Sequence, residues 1–218
     1  MKELLENFFG LYYKSTKKVV VDSEHKIGRF GLNDAKACGD CRLKSHEFES
    51  DCNHTVLICH SDKSVEVISL EKFLEEYNNL KAMPSHSKCD IMIVCDNSIV
   101  LCDMSCSNPK YIGKYNNSSG AEKLGKRITA RHQIENTITL LMNVPQIAYE
   151  ILSKATKIAL FAYREKRRGN LSEFDGKVAS NMLAFNRIEN KLSTSGLKSE
   201  SVQGFVFSEI KYPDVFYM

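Results

Sequence analysis

Apolar positions recur along this 218-residue chain with two different periods, one helical and one of strands. Leu4, Leu5, Phe8, Phe9 and Tyr12 fall at helical spacing, which predicts an amphipathic helix over residues 2–14 packed on the core. KVVVD at 18–22 reads as a short β-branched strand. From His25 to Asn53 the pattern dissolves into Gly, Asp, Cys and charged residues, so a long irregular segment is expected there, of the kind that carries function or binds metal. TVLICH at 55–60 and SVEVISL at 64–70 read as two strands joined by Ser-Asp-Lys, and LEKFLEEYNNL continues as a helix. Between Lys88 and Cys106, two apolar strands surround Asp96-Asn97. A helical pattern then runs from about Ala121 to Asn143, with Leu124, Ile128, Ile134, Ile138 and Leu141 as its stripe. Pro145 suits the first turn of a second helix ending near Ala155, and KIALFAYR at 157–164 is a buried strand. A weaker helix is expected near 177–190, then a polar linker, KLSTSGLKSES, and a closing strand, QGFVFSEI. This order argues for one α/β or α+β domain over residues 1–218, with no internal repeat.

The register of the central hairpin follows from its turn. With Asp96-Asn97 as a two-residue loop, cross-strand partners have numbers summing to 193. Asp90 then faces Asp103, on the same face as Met92, Val94, Ile99 and Leu101. Side chains so opposed have Cβ atoms about 5 Å apart, and two carboxylates there repel unless a cation or a proton joins them. Hard oxygen ligands at this separation suit Mg²⁺ or Mn²⁺, which would neutralise the pair, bind phosphate and lower the pKa of a bound water. The other reading of the same residues is two acids at strand ends, solvated or bonded to loop amides.

A net charge of +3 is too small to identify a nucleic-acid binder, so the distribution of charge matters more. Lys123, Arg127 and Arg131 are spaced i, i+4 and i+8 on one predicted helical face, with Lys126 beside them. Arg164, Lys166, Arg167 and Arg168 form a second basic group. Such groups either hold phosphate backbones without reading sequence or form an ordinary solvated face. No apolar run approaches the roughly 18 residues of a membrane span, so no membrane partner is expected. The N-terminus carries acids among its apolar residues and has no small-residue cleavage site, so the expected location is cytoplasmic. Eight cysteines in such a setting are packing residues or metal ligands rather than a disulfide framework. Cys89, Cys95, Cys102 and Cys106 are read as packing residues. Cys38, Cys41, Cys52 and His54 have the spacing of a structural zinc knuckle, with buried thiols and an incidental histidine as the other reading. A Gly-rich phosphate loop, a GxSxG elbow and an HExxH helix are all absent.

An Asp leading one strand, a second acid near the end of the next, and then a helix bearing Gln resemble the core of the PD-(D/E)XK nuclease superfamily. The matching residues are Asp90, Asp103 and Gln133, the last within RHQIENTITLL, which is similar to the helix of RecB-like members. The resemblance covers roughly residues 85–165. It implies an α/β, restriction-endonuclease-like mixed sheet flanked by helices, with the Cys-containing irregular segment at 25–54 as an insertion near the N-terminus. It further implies acids that hold Mg²⁺, a lysine two residues after the second acid that assists the attacking water, and one more acid from an upstream helix or loop. Asp34 and Glu47 are candidates for that last acid. An iron–sulfur cluster, as in some RecB-like relatives, would take Cys59 as its fourth thiolate. The chain departs from the pattern at Ser105, which stands where the lysine is expected. Under the sum of 193, Ser105 pairs with Lys88, so a lysine from the opposite strand reaches the same spot or caps the strand in solvent. The implied activity is divalent-metal-dependent cleavage of DNA or RNA, in defence or mobile-element biology. The alternatives are an inactive nuclease-like subunit that binds nucleic acid or protein within a larger complex, and a zinc-stabilised interaction protein.

Overall fold

A computed structural model describes residues 1–33, 46–47, 55–60, 64–77, 88–165 and 200–218. The expected zinc ligands Cys38, Cys41, Cys52 and His54 lie outside these residues, as do Asp34, Lys166, Arg167, Arg168 and the helix expected at 177–190.

The chain opens with a helix over residues 2–12, α1, whose middle turn, Leu5–Phe9, is wound as π-helix. That wider turn advances the buried stripe by four residues at a time, through Leu5, Phe9 and Tyr13. Tyr12, expected in the core, is therefore left exposed while Tyr13 is buried. KVVVD alternates as a strand would, with Val19 and Val21 buried and Val20 exposed, yet it joins no ladder. Its Val21 N–H is held by the Glu6 carboxylate instead, and pairing begins only at β1, Ser23–Lys26. Part of the segment expected to be irregular is regular: β2 (Arg29–Leu32) and β3 (His46–Glu47) pair with each other. β4 (Val56–Cys59) and β5 (Val65–Ser69) form as expected but enter different sheets. A short helix, α2 (Leu70–Glu75), leads toward the hairpin of β6 (Ile91–Val94) and β7 (Ser98–Ser107).

After β7 come one turn of 3₁₀ helix at Pro109–Tyr111 and a small hairpin of β8 (Tyr115–Asn116) and β9 (Glu122–Lys123). The helix expected from Ala121 starts later, as α3, Lys126–Met142. The delay comes from turn chemistry. The Asn117 carboxamide accepts N–H bonds from Ser119 and Ala121, and Gly120 takes a φ of 78°, so this stretch closes the hairpin rather than opening the helix. Then follow α4 (Pro145–Ser153), β10 (Thr156–Glu165), β11 (Glu200–Val202), β12 (Phe205–Lys211) and β13 (Val215–Tyr217). The strand expected at QGFVFSEI is thus half of a third hairpin, turned by Gln203 and Gly204, both at positive φ.

The fold is α/β. Seven strands form a mixed sheet in the order β1-β5-β6-β7-β10-β12-β11. β7, β10 and β12 are parallel neighbours, and the other pairings in this sheet are antiparallel. A second sheet runs β13-β4-β2-β3. Pleat alternation sorts each strand of the large sheet between two cores. Met92, Val94, Ile99, Leu101, Ala159 and Phe161 pack with residues from all four helices. Ile91, Ile93, Val100, Cys102, Met104 and Leu160 pack instead against Phe30, Leu32, Val56 and Ile58 of the small sheet. Helices therefore cover one face of the large sheet and the small sheet covers the other. No helix among the described residues is long and apolar enough to cross a membrane.

Candidate metal and nucleic-acid site

The hairpin has the register its turn dictates. Ile91 pairs with Cys102, Met92 with Leu101, Ile93 with Val100 and Val94 with Ile99, every pair summing to 193. The paired register stops at Ile91–Cys102, and just beyond it the Asp90 carboxylate accepts the Met104 N–H at 2.6 Å. Asp103 shares its face with Ile99 and Leu101, which pack under the helices. It is only 5% exposed. The register also continues across the parallel strands. Asp103 lies beside Phe161, and Phe161 beside Glu209, so two acids and a buried ring occupy one row under the helices.

The next row toward the strand ends is built from the same count. Ser105 lies beside Tyr163, and Tyr163 beside Lys211. Lys88, ahead of β6, is 3% exposed, so it is not a solvated strand cap. Burial pulls the Lys88 ammonium below its ordinary value of 10.5, and Glu75 and Glu71 act in the opposite direction. Glu71 is the acid that reading the sequence passed over. It opens α2, and its amide and that of Leu70 both donate to the Asp90 carbonyl, at 3.1 and 3.0 Å. Its position two residues beyond Ser69, the partner of Ile91, was the available signal. Glu47 is paired with Phe30 in the small sheet, which covers the opposite face from α3.

Gln133 acts on the backbone. Its side-chain amide donates to the Lys88 carbonyl at 3.0 Å. One turn later, Thr137 accepts from the Cys89 N–H at 3.0 Å and donates to the Gln133 carbonyl at 2.8 Å. α3 thus pins residues 88–89 just ahead of Asp90. Cys89 and Cys102 are fully buried, and burial pushes both thiols well above the usual range, as suits packing residues. Cys95 and Cys106 are half-buried.

The basic face is redistributed relative to its helical spacing. Lys123 sits in β9 rather than on α3. Arg127 pairs with Glu209 at 2.8 Å, and Arg131 pairs with Glu135 at 3.1 Å and Glu200 at 2.6 Å. Those two guanidiniums are committed to carboxylates, two of them on the neighbouring sheet, which lessens their share in any phosphate site. Lys126 is exposed at the helix start. Arg164, from the second basic group, stacks over Tyr212 at 4.6 Å.

Among the described residues, no group of three or more His, Cys, Asp or Glu side chains is arranged to hold a metal ion. Two carboxylates are nonetheless a sufficient protein contribution for Mg²⁺, which keeps several waters and takes its remaining ligands from substrate phosphate. No family model matches the chain, and no curated protein or solved structure shows significant similarity to it.

Proposed function

We propose that this chain is a divergent PD-(D/E)XK-type, restriction-endonuclease-like nuclease that hydrolyses phosphodiester bonds of DNA or RNA with Mg²⁺ or Mn²⁺. The observation that carries this reading is the bond from the Met104 N–H to the Asp90 carboxylate, which ties Asp90 to the residue next to buried Asp103, with buried Lys88 two residues before Asp90. Asp90 and Asp103 would hold the metal. The metal supplies Lewis acidity toward phosphate and a bound water of lowered pKa. Lys88, its pKa lowered by burial, would assist the attacking water in place of the lysine missing at Ser105. Gln133 is a positioning residue, holding the Lys88 carbonyl so that the strand carrying both Lys88 and Asp90 stays under α3. Lys123, Lys126, Arg127 and Arg131 would hold the polyanion. A structural Zn²⁺ on Cys38, Cys41, Cys52 and His54 belongs to the same proposal, and elemental analysis should find about one zinc per chain.

The deciding test is metal-dependent cleavage of labelled single- and double-stranded DNA and RNA. Activity should disappear in Asp90→Ala and Asp103→Ala, and Lys88→Ala should lower the rate while leaving metal binding in place. A second reading, a catalytically inactive nuclease-like subunit that binds nucleic acid or protein in a larger complex, is favoured by Ser105 and by the Met104 N–H already bonded to Asp90. Metal binding without cleavage of any of the four substrates would select it.

A further inference from the structure

The segment between β7 and α3 leaves the sheet at the carboxyl ends of its parallel strands, where ligands of open α/β sheets bind. It is a short arm with a fixed root. The Arg127 N–H donates to the Ile112 carbonyl at 3.1 Å, and Gly125 lies so close to the Ile112–Gly113 backbone that a Cβ there would meet the Gly113 oxygen at 2.1 Å. Beyond that root the arm interleaves charge with rings. Residues 108–126 hold Lys110, Lys114, Lys123 and Lys126 against one acid, Glu122. Tyr111 and Tyr115 are half-buried, with ring centroids 4.7 Å apart, and the Lys110 ammonium sits 4.7 Å over the Tyr111 ring. Among the described residues, these lysines make one ion pair, the exposed Lys114–Glu122 contact, which contributes little. Asp103 lies four residues before the end of β7, about 13 Å along the strand from the point where the arm begins.

From this arrangement we infer that the arm over residues 108–126 is a docking element for single-stranded nucleic acid, with bases stacking on Tyr111 and Tyr115 and phosphates on Lys110, Lys114, Lys123 and Lys126. Lysines alone would serve a duplex equally well. Half-buried tyrosines set among them, each with part of its ring open to solvent, favour unpaired bases, whose faces are free to stack. The inference deepens the proposed function by naming the form of its substrate, and it rests on the nucleic-acid part of that reading.

The test is equilibrium binding, by fluorescence anisotropy, of labelled oligothymidine, oligouridine and a duplex of equal length, with EDTA present to prevent cleavage. A single strand, of either sugar, should bind more tightly than the duplex. Tyr111→Ala/Tyr115→Ala should loosen it about 5- to 100-fold. Should that variant melt early, Lys110→Gln/Lys114→Gln decides, because it leaves the ring pair intact and should reduce the salt slope by about 1.4. Equal affinity for duplex, or wild-type binding in the lysine variant, overturns the inference. Loss of all strand binding alongside an intact Mn²⁺-induced rise in melting temperature removes the arm and leaves the acid pair. The reverse result removes the nuclease reading and leaves the arm.

Discussion

The two faces of the large sheet are built from the same strands and end differently. On the small-sheet face, β7 stays apolar to its end: Val100, Cys102 and Met104 are all buried against β-branched and aromatic neighbours. On the helix face the same strand begins apolar, with Ile99 and Leu101, and then turns polar at Asp103 and Ser105 while remaining buried. Burying an acid costs free energy unless a partner compensates it, so the polar end of the strand is held differently from its apolar start. The contrast separates the part of the strand that holds the fold together from the part available for chemistry.

Substitutions should follow this boundary. Val100→Asp, on the apolar face, places a charge in a site with no polar partner and should prevent folding, seen as loss of the cooperative transition in circular dichroism. Phe161→Ala, on the helix face but in its apolar part, should cost about 3–5 kcal/mol in urea denaturation. Asp103→Asn should be near neutral without metal, or stabilising by about 1 kcal/mol, because it relieves one of two opposed charges. The same variant should lose any rise in melting temperature that Mn²⁺ gives the wild type. A large destabilisation by Asp103→Asn in EDTA would mean that the acid serves the fold, and the boundary would dissolve.

Lys88 offers a smaller, pH-dependent measure. Its folded pKa lies below 10.5, so in the alkaline window just under that value the unfolded chain binds more protons than the folded one. Stability conferred through this group therefore rises with pH across that window, and Lys88→Met should flatten the rise measured in urea titrations. The smallest effect belongs to the exposed pair of Arg127 and Glu209, where Arg127→Gln should change stability by less than about 1 kcal/mol.

Much of the large sheet was legible because its signals are local. A two-residue turn between β-branched runs fixes the register of β6 and β7 from Ile91–Cys102 to Val94–Ile99. β10 and α4 were legible from an apolar run and a helix-starting proline. What escaped depends on partners distant in sequence. Nothing in TVLICH says that it will leave SVEVISL for another sheet, and nothing in KVVVD says that a glutamate will take its amide in place of a strand. The π-turn that exchanges Tyr12 for Tyr13 has no sequence mark of its own. At the site, the acids were visible as a pair, whereas Glu71 becomes relevant only once α2 caps the Asp90 carbonyl. The burial of Lys88 was equally hidden, because a lysine before a strand reads as a solvated end.

The tight seat of Gly125 gives the arm an unusual genetic property. Its φ of −77° is open to any residue, so it is the backbone of Ile112 and Gly113 that forbids a larger side chain there. An alanine at this position would act as a wedge, levering the root of the arm away from α3 without reaching the buried strands. Gly125→Ala is therefore the place to look for a separation-of-function allele: a protein that folds and keeps its acid pair, yet presents its tyrosines and lysines in the wrong direction.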